Sequence, residues 1–339
     1  MALIKSRAVS QSVLCAGIVV ADLCVPVLPR LPDPGELLAT GDFLLATGGC
    51  AANTAICLAK QGASSRVAGM VGADSFGDFI EQDLRAKGVD ASGLGRSSAH
   101  GTSQTVILPV MGCDRRYIHT IGANADLTAG DIDSALGEVP VLYLGGYFVL
   151  PGLIVSDLAE LLRSARRRGV RTVLDVVIPI GAGEHSLADL EEVLPFVDVF
   201  MPNDQEAYAL TGELEPYRQA AALRAAGCGT AVITLGSRGA LLMSADETLE
   251  VPGASVVVVD PSGAGDAFAA GFIVGMLEGW TTSETLAFAC VVGASACTRL
   301  GTHAGVWTRQ AVEDYCTTHP LALQRLAPPP QSAGDTSSC

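Results

Sequence analysis

The chain has 339 residues, which at about 150 residues per domain suggests two units or one large α/β unit. Acidic residues outnumber basic ones 36 to 21, a formal net charge of −15, and such a surface repels phosphate backbones and anionic headgroups, so neither nucleic acid nor a membrane is an expected partner. Charged residues are 17% and hydrophobic ones 49%, a globular composition rather than a disordered one.

The 38 glycines suggest many tight turns or close backbone approaches to a ligand. Ten cysteines are scattered, without a CxxC pair or Cys/His metal spacing, so reduced thiols and a cytoplasmic location are expected. Cys290 and Cys297 lie two helical turns apart on an apolar segment, which packing explains.

Lys5, Arg7 and the run VLCAGIVVA imitate a secretory signal, but the apolar run is short, ends at Asp22, and reads as the buried first strand of a parallel sheet. No uninterrupted apolar stretch approaches the ~20 residues of a membrane span. From about residue 50 onward, short apolar runs at 67–71, 141–146, 171–177, 197–203 and 230–236 alternate with helix-period segments. The predicted helices are Ala51 to Gln61, Phe76 to Lys87, Leu153 to Arg168, Leu187 to Leu194 and Tyr217 to Ala226. This alternation predicts an α/β, three-layer αβα fold whose mostly parallel central sheet carries helices on both faces.

Residues 24–47 and 101–121 break the rhythm and read as extended, the second as a hairpin turning at Gly112 to Asp114. They are expected to form a small β lid over the ligand rim, the alternative being an edge extension of the sheet. The Pro/Ser-rich stretch from Ala327 is expected to be disordered. The predicted organisation is therefore one domain over 1–326 and a tail over 327–339.

DPSGAGDAF, from Asp260 to Phe268, follows the β-rich run SVVVV and precedes an apolar helix. Gly263, Ala264 and Gly265 carry little or no side chain, so backbone amides at the positive end of that helix converge into an anion hole. Asp266 then stands where it accepts a proton from a hydroxyl beside a held phosphoryl group, although an acidic N-cap explains the same pattern. TLGSRG at 234–239 is a turn against which a phosphorylated ligand can lie, or a plain bend. Asn203 and Glu206, at i,i+3 spacing after a strand end, suit Mg²⁺ held through water, or simply start a helix. GGCAAN at 48–53 opens a helix, with Gly48 and Gly49 admitting a ligand hydroxyl and Asn53 facing the rim. Asp22 is placed to accept two hydroxyls of a polyol, or to form a turn.

The order and spacing of these motifs resemble the ribokinase-like (PfkB) family of ATP-dependent carbohydrate and nucleoside kinases. The resemblance runs from about Leu14 to Arg309 and is supported by VGADSFGDF at 71–79 and GANADLT at 122–128. It implies Asp266 as catalytic base and Gly263, Ala264 and Gly265 as the anion hole. It implies Thr234, Gly236, Ser237 and Gly239 at the nucleotide, and Asn203 with Glu206 organising Mg²⁺. Asp22, Gly49 and Asn53 match sugar contacts. Asp260, Ser262, Ala296, Arg299 and Gly301 match positions where relatives hold a monovalent cation such as K⁺. A lid-mediated homodimer is also implied.

Departures concern the acceptor. Ribokinases have Lys where this chain has Cys50 and Asn where it has Val20, and an acidic ribose contact is replaced near Tyr147, which speaks against ribose itself. Arg115 and Arg116 match lid positions that read a phosphate or acid in some relatives, or are simply solvated. The expected activity is transfer of the ATP γ-phosphoryl group to a primary hydroxyl of a sugar or sugar-like molecule. The alternatives are a nucleoside kinase and a nonenzymatic sugar or nucleotide sensor. No GxxxxGK(S/T) appears, which excludes a P-loop kinase, and no GxGxxG follows the first strand, which argues against a dinucleotide-dependent oxidoreductase.

Overall fold

Apolar runs without polar interruption suit strands covered on both sides, and such runs make the centre of this protein. The structure, a computed structural model, describes residues 12–113, 115–179 and 185–326. Seven strands run parallel: β1 (Ser12–Gly17), β4 (Ser64–Gly72), β5 (Asp90–Ser97), β8 (Val141–Gly145), β9 (Arg171–Leu174), β10 (Val199–Phe200) and β11 (Thr230–Thr234). Three antiparallel strands extend one edge, β12 (Ala240–Met243), β13 (Thr248–Val251) and β14 (Gln324–Leu326). The ten strands run in the order β14-β13-β12-β11-β10-β9-β8-β1-β4-β5.

Successive strand residues point to opposite faces, and the two cores follow that alternation. Val13, Cys15, Val141 and Tyr143 meet α1 (Cys50–Lys60), α2 (Ser75–Ala86), α7 (Ala264–Glu278), α8 (Thr282–Ala296) and α9 (Arg309–Thr318). Leu14, Ala16, Leu142 and Leu144 meet α3 (Ala129–Leu136), α4 (Val155–Arg167), α5 (Asp204–Thr211) and α6 (Pro216–Ala225). The expected three-layer architecture is thus observed.

The lid is a second sheet, ordered β3-β2-β6-β7, of β2 (Val20–Cys24), β3 (Leu44–Gly48), β6 (Gln104–Leu108) and β7 (Arg116–Thr120). Three local expectations are corrected. The first apolar run is two strands rather than one: it leaves the main sheet after Gly17, whose close approach to the Gly145 carbonyl admits no Cβ, and re-enters the lid at Val20. Residues 187–194 form no α-helix but two 3₁₀ turns, Leu187–Leu190 and Leu194–Phe196, the second carrying Pro195 in its first turn. The run SVVVV has high strand propensity but pairs with no described strand, and Val257 is 83% exposed. Within 24–47 only the ends are strand. Asp114, the N-terminal basic residues and the tail lie outside the described residues.

Candidate active site

The strand C-termini open onto a cleft that brings Asn203, Glu206, Thr234 and Gly263 to Asp266 together, with Cys50 and Asp175 opposite. Its floor is the start of α7. Gly263 takes the left-handed conformation at φ +74°, and a Cβ there would stand 1.9 Å from the Thr302 carbonyl oxygen, so only glycine turns the chain into the helix here. No side chain caps α7, which leaves the first-turn amides and the positive helix end to the cleft. Gly265 faces open space.

Asp266 sits in that first turn. Asn53 Nδ2 donates to its Oδ2 at 2.9 Å, and Asn53 Oδ1 in turn accepts from Thr302 Oγ1 at 2.9 Å. The Asn53 amide is thus braced by Thr302 at its oxygen and aims its nitrogen at the aspartate. Burial pushes the Asp266 carboxyl up to about 6, against the opposing bonds from Asn53 and the Cys50 thiol. Thr54 Oγ1 fixes the same residue through its main-chain carbonyl at 3.3 Å.

Asp175, at the end of β9, is the site residue that the sequence reading left inside a strand. Tyr143 Oη donates to it at 3.1 Å. Burial pushes its carboxyl well up, and the charges of Glu206 and Asp266 push it further. Glu206 is likewise raised by burial to about 7. Ligand atoms of Cys50, Asp175 and Asp266 lie within 4.8 Å of one another. The Asp266 charge raises Glu206, and both raise Asp175, so these carboxylates lack counter-charge, and hard oxygen donors of this kind fit Mg²⁺. Asn203 is committed elsewhere: its Oδ1 accepts from Gln205 N and Glu206 N, both at 2.9 Å, while Glu206 Oε2 accepts from Asn203 N at 2.9 Å. This reciprocal capping box leaves Glu206, more than Asn203, for an ion.

Thr234 ends β11 at the cleft, and Gly236, Ser237 and Arg238 form an exposed 3₁₀ turn closed by Gly239. Asp22 lies in β2, its carboxylate directly against Gly48, where an added Cβ would stand 1.8 Å from Oδ2. Burial lifts it to about 7 despite a bond with Thr105, and Asp266 adds to the rise. Gly49 caps α1.

The residues matched to a monovalent cation do not leave Asp260 to one. Its Oδ1 accepts from Arg115 Nη1 at 2.6 Å and from Ser262 N at 3.0 Å, and its Oδ2 from Gly301 N at 2.9 Å. Ser262 Oγ accepts from the same Arg115 nitrogen at 2.7 Å. Ala296 is buried at the end of α8 and Arg299 is exposed. A second positive charge beside a guanidinium is repelled, so this set does not fit K⁺.

The family model described as pfkB family carbohydrate kinase matches residues 10–309. This chain belongs to that family. The kinase is 27% identical over 308 residues to the ribokinase of Haemophilus influenzae, covering 88% of this chain and 96% of that one. It is 26% identical over 321 residues to the aminoimidazole riboside kinase of Salmonella typhimurium, covering 90% and 96%. The structure of Arabidopsis thaliana ribokinase, complexed with ribose and ATP, superposes with a TM-score of 0.77 at 25% identity, covering 90% of the kinase and 98% of that chain. The ribokinase-like fold and the class expected from the sequence, an ATP-dependent sugar kinase, both hold. Among the described residues no helix is long and apolar enough to cross a membrane.

Proposed function

We propose that the kinase transfers the γ-phosphoryl group of ATP to a primary hydroxyl of a sugar or sugar-like acceptor in this cleft. The observation that carries the reading is the pairing of Asp266, clamped by Asn53, with the uncapped amides of Gly263, Ala264 and Gly265 at the mouth of α7. Asp266 accepts the acceptor's hydroxyl proton, the freed oxygen bonds to the γ-phosphorus, and the bridging P–O bond to ADP breaks. The first-turn amides take up charge on the transferring group, and positioning supplies most of the acceleration.

The exposed turn of Gly236 and Ser237, bounded by Thr234 and Gly239, is the platform for the nucleotide. Asp22, beside Gly48 and Gly49, accepts acceptor hydroxyls. Mg²⁺ held by Asp175 and Glu206 would neutralise phosphate charge when bound. The edge strand β7 is exposed along its length and presents Tyr117 and Ile118, which supports a homodimer through the lid, a mass that light scattering measures. The cysteines among the described residues are free thiols, which supports a cytoplasmic location.

A riboside acceptor is the second reading. Tyr147 and Phe148 follow Gly146, whose N–H donates to the Asp175 carbonyl at 3.2 Å, and the Phe148 and His185 rings pack at a tilt with centroids 4.2 Å apart, a group of rings joined through Gly146 to a cleft residue. Screening pentoses, hexoses, keto-deoxy acids and ribosides for ADP release with the purified protein decides between them. Asp266→Asn is expected to lose at least about a hundredfold in turnover while still binding ATP. Binding of a sugar with no ADP from any acceptor, or an Asn variant that keeps a tenth of wild-type rate, refutes the reading.

A further inference from the structure

Arg115 stands at the root of β7, and its side chain crosses from the lid to the loop before α7, where Nη1 donates to Asp260 Oδ1 at 2.6 Å and Ser262 Oγ at 2.7 Å. The contact is shielded: Arg115 is 19% exposed and Asp260 5%. Asp260 passes this contact inward. Gly301 N donates to its Oδ2 at 2.9 Å; next along the chain, the Thr302 carbonyl lies against Gly263 and the Thr302 hydroxyl holds Asn53, which holds Asp266. A continuous set of contacts thus runs from the lid to the reacting carboxylate.

We propose that the Arg115 guanidinium, in place of a dissolved monovalent cation, supplies the positive charge at Asp260 and positions the anion-hole loop when the lid is seated. Arg115 is a positioning residue: it acts on the loop and not on the acceptor. Buried, hydrogen-bonded charge pairs fix geometry, and one guanidinium nitrogen shared between Asp260 and Ser262 ties down the stretch of chain that leads into Gly263. The inference rests on the anion-hole reading of Gly263 to Gly265.

The experiment compares KCl with choline chloride at equal ionic strength, reading the melting temperature of the wild-type protein and ADP release on the acceptor that the screen returns. The rates of ADP release are expected to agree within about twofold between the salts, and the melting temperatures to coincide. Arg115→Ala is expected to lose about tenfold or more in kcat with little change in acceptor KM, with Arg115→Lys in between. Guanidinium chloride at non-denaturing concentration is expected to restore part of the Ala variant's rate.

A wild-type rate more than about fivefold higher in KCl, or a K⁺-selective rise in melting temperature, overturns the proposal. So does an Ala variant with wild-type kcat, or one that is folded, slow and unresponsive to guanidinium. Should Arg115→Ala fail to fold, the wild-type salt series and Arg115→Lys still decide. Absence of ADP release in every salt counts against the anion-hole reading, whereas salt selectivity in an active enzyme counts against Arg115 alone.

Discussion

Asn53 Nδ2 lies 2.9 Å from Asp266 Oδ2 across 213 residues of sequence. The bond joins the first turns of α1 and α7, so the reacting carboxylate is aimed by a helix from the other end of the chain. Because Thr302 Oγ1 occupies the opposite end of the amide, the donor nitrogen is held toward Asp266.

Replacing this amide by a shape-matched apolar group tests the clamp. Asn53→Leu is expected to lower kcat by about a hundredfold, the cost of a misplaced reacting group, with a smaller change in ATP affinity. Steady-state kinetics check it, and an unchanged kcat would show that Asp266 needs no support from α1.

Two glycines two residues apart make opposite predictions. Gly263→Ala drives a methyl into the Thr302 carbonyl from a left-handed backbone, and is expected to cost stability by about 2 kcal/mol or more. Gly265→Ala meets nothing within 4 Å and should leave the melting temperature unchanged, yet it puts a methyl where the phosphoryl group would approach and is expected to reduce kcat at least about tenfold. Thermal melts and kinetics on the pair separate fold from function. Full activity in Gly265→Ala would move the anion site elsewhere.

Asp175 is expected to matter through Mg²⁺. Asp175→Asn keeps the shape and the Tyr143 contact while removing a charge, and should raise the Mg²⁺ concentration for half-maximal rate about tenfold. An unaltered Mg²⁺ titration would leave the ion to Glu206 and the phosphates.

Buried His303, whose Nε2 lies 3.2 Å from the Thr47 carbonyl, supplies a pH signature of stability. Burial, with Lys87 and Lys60 nearby, pushes its imidazole from 6.5 down to about 4. The unfolded chain therefore binds this proton first as pH falls from 6.5 towards about 4, so the folded state loses stability across that window and loses nothing further from this group below it. The full loss is about 3 kcal/mol. Urea midpoints are expected to fall more steeply with acidification in the wild type than in His303→Gln; parallel curves would show that another group dominates.

DPSGAGDAF was legible because small residues before a carboxylate at a helix start have few local explanations, and the structure gives that stretch the expected turn. The supporting motifs have structural work of their own: Asp74 caps α2 and binds the Thr102 amide at 2.7 Å, which anchors the approach to β6. Asp175 escaped notice because a lone carboxylate in RTVLDVV differs little from strand interior until β9 is seen to stop at Leu174. The SVVVV run misled because propensity describes a residue's fit to a sheet and says nothing of a free partner edge. The destination of Arg115, 145 residues away at Asp260, is a tertiary fact with no local signal.

The chain leaves the main sheet for the lid within Gly17 to Val20, where Val19 N donates to Asn124 Oδ1 and the Val19 carbonyl accepts from Asn124 Nδ2, each at 3.1 Å. One buried amide thus stands in for a neighbouring strand at this crossing between the two sheets. The stem of the flap is pinned by that amide. Substitutions at Asn124 should therefore loosen the whole cover at its base, however far they lie from any bound molecule.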